Sequence, residues 1–176
     1  AGWFKLDPAF AVYQGKHEFD GVMPDWSPSG LKAQADFLHK AITDAQAFDK
    51  AKLSKEDAFE RDYLVQVARG KLFWLEDADQ PHTNPAYYVG NGLDPNTYIA
   101  RPYAPAKVRM EALIKFFRQV PSAVWNIRTN LRTPMPESFI KYGVAAFSGF
   151  ADYYRGDARK AFASVHDKKM QKDLKD

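Results

Sequence analysis

Apolar residues recur along most of this 176-residue chain at the spacing of an α-helix rather than a β-strand. After Ser27, for example, the apolar side chains are Leu31, Ala35, Leu38 and Ile42, which share one face of a helix. Segments with this 3.6-residue period follow one another, and none shows the two-residue alternation of a half-buried strand. The pattern predicts an all-α fold, an array of about six to seven helices.

Polar side chains indicate where three of these helices begin. Asp7 and Ser27 each stand directly before a proline, the arrangement of an N-cap residue with proline at the first helical position. Ser54 is followed three residues later by Asp57, a variant of the capping box. We therefore expect helices to begin after residues 7, 27 and 54.

The helix after Ser54 carries apolar residues on two sides, which predicts a central position in the fold. One stripe consists of Leu64, Ala68, Leu72 and Leu75, and the other of Phe59, Tyr63, Val67 and Trp74. Large aromatic residues on the inward faces are the predicted core: Trp74, Phe117, Phe147 and Phe150. Small residues in the last long helix permit another helix to approach closely, namely Gly143, Ala146 and Gly149.

Residues 77–106 interrupt the helical pattern. They contain five prolines and four tyrosines, and connections longer than about 12–15 residues tend to be functional. The tyrosines indicate that this connection packs against the core, and a helical turn is expected only near residues 85–89. We interpret residues 1–176 as a single helical domain or an N-terminal fragment. Its parts are an acidic helical part (1–76), a proline/tyrosine-rich connection (77–106) and a basic helical part (107–176).

The charge of the chain is unevenly distributed. Residues 1–100 carry ten Lys/Arg and fifteen Asp/Glu, whereas residues 101–176 carry fifteen and seven. A basic half can indicate an anionic partner, or the two halves can face each other or a missing partner. Lys107, Lys115 and Arg118 share a helix face with Glu111, as on an ordinary solvated helix, so nucleic acid is not an expected partner.

Motifs of several enzyme classes are absent from the sequence. There is no cysteine, and none of the four histidines (His17, His39, His82 and His166) has a second histidine four residues away. No Gly-Lys-Ser/Thr phosphate loop, Gly-x-Ser-x-Gly elbow or apolar run long enough for a membrane span occurs. We therefore expect no catalytic residue, no metal ligand and no cofactor in this chain, and no enzymatic activity of the chain alone.

A series of short motifs nevertheless resembles a known family. In chain order these are Asp7-Pro8, Tyr13-x-Gly15-x-His17-Glu18-Phe19-Asp20, Pro24-Asp25-x-Ser27, Asn84-Pro85-x-x-Tyr88, Arg101-x-Tyr103-Ala104-Pro105-x-x-x-Arg109, Val120-Pro121 and Asn130-Leu131. Together they resemble the N-terminal part of the bacterial domain-of-unknown-function family eight-eighty-five (DUF885). Members are mostly helical, are often described as lipoproteins, and are similar to gluzincin-type zinc metallopeptidases.

The resemblance implies that this chain has a structural role and supplies no catalytic residue. The zinc-binding His-Glu-x-x-His helix of the family lies downstream and is absent from this sequence. The chain would then be the N-terminal helical portion of a larger metallopeptidase-like fold, shaping one side of its substrate cleft. Its partners would be the downstream catalytic part of the same protein and a peptide substrate, with zinc implied only for the full-length relative. Export to the periplasm, or a lipoprotein location, follows from the same resemblance.

Four residues of the matching motifs form a candidate binding wall: Asn84, Tyr88, Arg101 and Arg109. The structural alternative is that Arg101 and Arg109 tie the proline-rich connection down through carbonyl or carboxylate groups. Two other functions stay open for the chain. It can be a stand-alone helical binding module for an acidic protein or other polyanion, or a purely structural all-α domain.

The two ends of the chain are relevant to the choice between an N-terminal portion of a larger protein and a stand-alone binding module. The sequence begins at Ala1 without Met, so either an export signal has been removed or the chain starts inside a longer one. The N-terminal-portion hypothesis expects the reading frame to continue past Asp176 to a His-Glu-x-x-His motif. The binding-module hypothesis expects a stop there and binding that weakens steeply with salt.

Overall fold

The computed structural model describes residues 2–175, and every regular element within them is a helix. The first two helices are short, α1 (Gly2–Leu6) and α2 (Pro8–Tyr13), and two long ones follow, α3 (Pro28–Gln46) and α4 (Lys55–Leu72). Next come α5 (Gln80–Thr83), α6 (Ala86–Gly90), α7 (Asn96–Ala100), α8 (Ala106–Phe117) and α9 (Val120–Asn130). The chain ends with α10 (Glu137–Arg155), α11 (Asp157–Lys160) and α12 (Lys168–Asp173). The predicted all-α fold is confirmed.

The predicted helix starts are confirmed by their hydrogen bonds. Asp7 accepts from the backbone N–H of Phe10 at 3.0 Å, and the Ser27 hydroxyl accepts from that of Gly30 at 3.1 Å. Ser54 accepts from the backbone N–H of Asp57 at 3.0 Å. Each bond satisfies a donor that the first turn of a helix leaves without an intrahelical partner.

The apolar core has two parts. The larger one is built around α8 and the proline-rich connection, and Met110, Leu113, Tyr88 and Phe162 are fully buried in it. The smaller part lies between α3 and α4 and consists of Ala35, Leu38, Ala68 and Leu72. The predicted stripe of α3 therefore faces Ala68, Leu72 and Leu75 of the first α4 stripe, whereas Leu64 of that stripe is 46% exposed.

The second stripe of α4 is exposed, so the prediction that this helix is central to the fold is wrong. Phe59 is 69% exposed and Tyr63 63%, because α4 packs on α3 by its other side. Trp74 is 53% exposed, which corrects its prediction as a core residue. It lies in a π-helical extension of α4, Phe73–Asp77, whose wider turn changes the direction of the side chains relative to an α-helix.

The other three predicted core aromatics are half-buried rather than fully buried. Phe117, Phe147 and Phe150 pack against the larger core from its edge. Phe150 lies beside Tyr154, with 5.9 Å between ring centroids, and Tyr154 lies beside Phe117 at 5.0 Å. These contacts form an aromatic layer where α10 meets α8.

The proline-rich connection contains more helix than the sequence predicts. The expected turn is α6, while α5 and α7 are additional turns, each with a proline at or just before its start. Tyr88 is completely buried and Tyr98 is 4% exposed, so the connection is packed, as expected.

Close helix approach occurs at one of the predicted small residues. A Cβ atom built on Gly143 would lie 2.8 Å from Cγ of Pro85, whereas one on Gly149 would meet no atom within 4 Å. The absence of a side chain at Gly143 therefore lets α10 contact the start of α6. None of the helices within residues 2–175 combines the length and apolar content that a membrane span requires.

Candidate functional site

Tyr88 and Asn84, two of the candidate binding residues, form hydrogen bonds with other groups of the protein. The Tyr88 hydroxyl donates to the carbonyl of Pro81 at 2.5 Å and accepts from the Asn130 amide at 3.1 Å. The Asn84 side chain accepts from the backbone N–H of Ala86 at 2.9 Å, which stabilises the turn before α6. Both residues fix the connection between α5 and α6.

Arg109 holds the connection by its carbonyl groups. Its guanidinium donates to the backbone carbonyls of Tyr98 at 2.8 Å, Ile99 at 3.1 Å and Ala104 at 3.0 Å. A guanidinium satisfies several acceptors at once because its donors lie in one rigid plane. One side chain thus binds two carbonyls at the end of α7 and one in the loop that follows it.

Arg101 contacts the N-terminal region instead. It donates to the carbonyl of Tyr13 at 3.2 Å, and its guanidinium carbon lies 4.3 Å from the Tyr13 ring centroid. These contacts correspond to the structural alternative for the two arginines. The hypothesis that Asn84, Tyr88, Arg101 and Arg109 form a binding wall stays a prediction.

The histidines do not come together. Three of them pair separately with a carboxylate: His17 with Asp20, His39 with Glu76, and His82 with Asp79. Across residues 2–175, no three His, Asp or Glu side chains are grouped so as to hold a metal ion. The donor set in this part of the chain therefore does not fit a zinc centre, which needs three protein ligands around one point.

Several basic side chains of the second half form ion pairs. These pairs are Lys107–Asp167, Arg118–Asp173, Arg132–Asp79, Lys141–Glu137 and Lys160–Asp157. The pair of Arg132 with Asp79, 3.3 Å apart, connects the basic half to a carboxylate of the acidic half. Such pairing reduces the cationic surface that a polyanion would contact.

Two helix surfaces expose large apolar side chains. The first, which we name the α4 outer face, consists of Phe59, Tyr63 and Val67, one helical turn apart. The second, the α10 flank, consists of Ile140 at 47% exposure and Val144 at 63%. Contiguous exposed apolar residues of this kind are typical of a surface that another part of a protein covers.

A pocket of about 250 Å³ opens between α1, α3 and the π-helical segment. We name it the aromatic pocket because three tryptophans and a tyrosine line it: Trp3, Trp26, Trp74 and Tyr87. Its remaining lining residues are Leu6, Asp7, Pro24, Gln34, Leu38, Lys71, Leu75, Gln80 and Asn91. None of the four candidate binding residues lines it. Trp74, which the sequence pattern placed in the core, lines this pocket instead.

Comparisons with known proteins give a family and a fold. Residues 8–176 match the model of a family described as "Bacterial protein of unknown function (DUF885)". No curated protein matches the chain significantly. A solved structure described as "a putative lipoprotein of unknown function" from Shewanella oneidensis is similar, with a TM-score of 0.84 at 17% sequence identity. The similarity covers 99% of this chain but 32% of that chain, so this chain spans about a third of its length.

Proposed function

The chain belongs to the bacterial DUF885 family of proteins of unknown function, and on this premise we propose that it is one helical wall of a larger, zinc-dependent peptidase-like protein. In this proposal the chain shapes one side of the substrate cleft, helps to exclude water and holds the peptide. The catalytic residues and the zinc ligands belong to another part of the same protein.

The observation that carries the proposal is the unequal coverage of the structural comparison. Nearly all of this chain matches, and the matched part is 32% of the other chain. A protein of that fold therefore has additional chain that can lie against this helical part.

The exposed apolar surfaces support the same arrangement. Fully burying a large apolar side chain contributes about 1.5–3 kcal/mol, so covering the α4 outer face and the α10 flank would stabilise a larger assembly. The Shewanella oneidensis protein, described as "a putative lipoprotein of unknown function", supports a further proposal. We place this protein outside the cytoplasm, either free in the periplasm or anchored by lipid.

A pair of substitutions in the natural-length protein tests the packing part of the proposal. Val144→Lys puts a charge on the α10 flank, and the matched control Ala145→Lys puts the same charge on the adjacent exposed residue of the same helix. If the flank is covered, Val144→Lys should lower the melting temperature by several degrees while Ala145→Lys changes it little. Equal effects of the two substitutions would contradict an interface at the flank.

The peptidase part needs a separate experiment. The natural-length protein should contain stoichiometric zinc after purification and should hydrolyse a mixture of unstructured peptides, and a chelator should abolish the hydrolysis. A protein without zinc and without hydrolysis after zinc is added would contradict the peptidase proposal. The absence of zinc and of hydrolysis would not change the result for Val144→Lys and Ala145→Lys. The packing proposal and the peptidase proposal can therefore fail independently.

A further inference from the structure

We propose that the lysine-bearing side of α12 binds the surface of a membrane that contains anionic phospholipids. We name this surface the α12 lysine face, and it consists of Lys168, Lys172 and Lys175. The proposal is independent of the zinc chemistry and of the peptidase role described above. It rests on the shared side of these lysines, on the acidic charges that α8 neutralises, and on a hollow in the surface beside them.

The three lysines share one side of α12. They are spaced by four and three residues, the spacing of neighbours on one helix face, and all three are exposed. The backbone N–H of Lys175 donates to the carbonyl of Lys172 at 2.8 Å, so the last turn of the helix includes Lys175. On the opposite side, Met170 and Leu174 are buried in the larger core, where α12 contacts α8. The helix therefore has one buried apolar side and one cationic side that faces solvent.

The acidic residues beside these lysines are neutralised by cations of α8. Asp167, the N-cap residue of α12, pairs with Lys107 at the start of α8, with 3.1 Å between Oδ2 and Nζ. Asp173 pairs with Arg118, directly after the end of α8, at 3.0 Å. Among residues 2–175, no member of the α12 lysine face forms an ion pair. The two pairs thus hold both ends of α12 on α8 and leave the charge of the lysine face unneutralised within this part of the chain.

A hollow of about 530 Å³ lies beside the α12 lysine face. All three lysines line it, and so does the exposed His166. The Gln171 amide donates to the backbone carbonyls of Phe162 at 2.7 Å and Val165 at 2.9 Å, which holds the preceding loop against the helix. The hollow can therefore receive a phosphate headgroup while the surrounding ammonium groups contact its charge.

Lysine side chains suit an array of lipid phosphates. An ammonium group is a compact charge on a flexible stem, so it reaches phosphates whose positions vary, whereas a planar carboxylate is better matched by the guanidinium fork of arginine. Arg159 donates to the carbonyl of Lys175 at 2.8 Å and adds a further positive charge at the end of α12. A basic cluster on an amphipathic helix is typical of binding to anionic phospholipids, and each lysine near such a surface strengthens binding by about fivefold, or about 100-fold for three.

Co-sedimentation of the natural-length protein with lipid vesicles tests the proposal. Vesicles of phosphatidylcholine alone are compared with vesicles of phosphatidylcholine and the anionic lipid phosphatidylglycerol. At low salt, binding to the anionic vesicles should be at least about tenfold stronger than binding to the neutral ones, and it should weaken at high salt because ions screen the attraction. A lipid anchor would insert into both kinds of vesicle, so it would not produce this difference. Equal binding to the two kinds would overturn the proposal.

Removal of charge from the α12 lysine face is compared with the same removal elsewhere on the protein. A variant with all three lysines of the face replaced by glutamine should bind the anionic vesicles about 100-fold more weakly. The control variant replaces three other exposed lysines by glutamine, each of which pairs with an acidic residue three or four positions away: Lys32, Lys40 and Lys52. The two variants have the same net charge, and the control should bind within about threefold of the wild type. Losses of equal size in both variants, or full binding by the first variant, would overturn the proposal.

Arginine at the same three positions separates charge from other properties of lysine. A variant with Lys168→Arg, Lys172→Arg and Lys175→Arg keeps the positive charges, so its binding to the anionic vesicles should stay within about threefold of the wild type. A loss as large as that of the glutamine variant would overturn an electrostatic attachment to the membrane.

Competition separates a membrane from other anions. Inorganic phosphate at millimolar concentration and constant ionic strength should not displace the protein from the anionic vesicles, because one ion contacts fewer lysines than a membrane does. Displacement by phosphate would identify the hollow as a site for the free ion and overturn the proposal. Tighter binding of an oligoglutamate peptide than of the anionic vesicles, compared per negative charge, would assign the α12 lysine face to an acidic protein segment and would also overturn it.

Discussion

The hydroxyl of Tyr98 accepts a hydrogen bond from the backbone N–H of Gly21, with 2.9 Å between the two heavy atoms. Gly21 has a φ of 71°, and a Cβ atom at this position would lie 2.5 Å from the backbone oxygen of Ala112. Only glycine fits both the conformation and the space. The bond therefore joins three segments at one point: the loop before α3, the helix α7 of the proline-rich connection, and α8.

Removal of this hydroxyl should destabilise the fold. Tyr98→Phe leaves the Gly21 N–H without its acceptor in the buried interior, so we expect the free energy of unfolding to fall by about 1–3 kcal/mol. Urea unfolding at pH 7 measures the change. Tyr142→Phe is the control, because Tyr142 is 47% exposed and should change stability by less than about 0.5 kcal/mol. Similar losses for both substitutions would contradict the importance of the Tyr98–Gly21 bond.

Alkaline pH should destabilise the protein through the buried tyrosines. Burial raises the pKa of Tyr88 and that of Tyr98 from 10.0 to about 12. Between these values the folded state binds more protons than the unfolded state, so the free energy of unfolding decreases as pH rises. The stability from these groups is complete below pH 10 and is lost as pH approaches 12.

Urea unfolding at a series of pH values from 8 to 11 measures this dependence. The decrease should be smaller in Tyr98→Phe, which has one fewer buried phenol to ionise. An identical pH dependence in the wild type and in this variant would show that Tyr98 does not contribute.

The parts of the fold that the sequence predicts are those set by local chemistry. The N-caps at Asp7, Ser27 and Ser54 form as expected, because a short polar side chain before a helical segment bonds the free N–H groups of the first turn. The one-sided stripe of α3 also predicts its buried face correctly, including Leu31 and Leu38.

The parts that depend on tertiary structure are less predictable. The two apolar stripes of α4 are equivalent in sequence, and nothing local indicates that α3 covers one while Phe59 and Tyr63 stay exposed. The aromatic pocket is formed by residues from Trp3 to Asn91, so periodicity within single helices does not reveal it. The sequence pattern assigns Trp74 to the core, because its spacing does not reveal the wider turn of the π-helical segment that turns this side chain toward the pocket.

Two glycines of α10 should respond in opposite ways to alanine. Gly143→Ala places a Cβ atom against the ring of Pro85, at 2.8 Å from Cγ, and should destabilise the protein by about 1–3 kcal/mol. Gly149→Ala meets no neighbouring atom within 4 Å and should stabilise the helix by about 0.5–1 kcal/mol, because alanine has the higher helix propensity. Thermal unfolding followed by circular dichroism measures both, and destabilisation of equal size would contradict the close contact at Gly143.

Arg109→Lys distinguishes a structural role of this residue from a role in a binding wall. Lysine keeps the positive charge but cannot reach the carbonyls of Tyr98, Ile99 and Ala104 with one planar group, so bonds at 2.8–3.1 Å are lost. We expect a loss of about 1–3 kcal/mol in the free energy of unfolding, measured with urea. Arg128→Lys, a change at an exposed position of α9, is the control and should have little effect.

Proteolysis gives an independent measurement for the same variant. With the carbonyls released, residues 98–104 should open more often, and limited chymotrypsin digestion should cleave after Tyr103 faster than in the wild type. If Arg109 instead served a ligand at the surface, Arg109→Lys would leave both the unfolding free energy and the cleavage rate unchanged. Unchanged stability and cleavage, together with weaker peptide binding by the natural-length protein, would therefore favour the binding wall over the structural role.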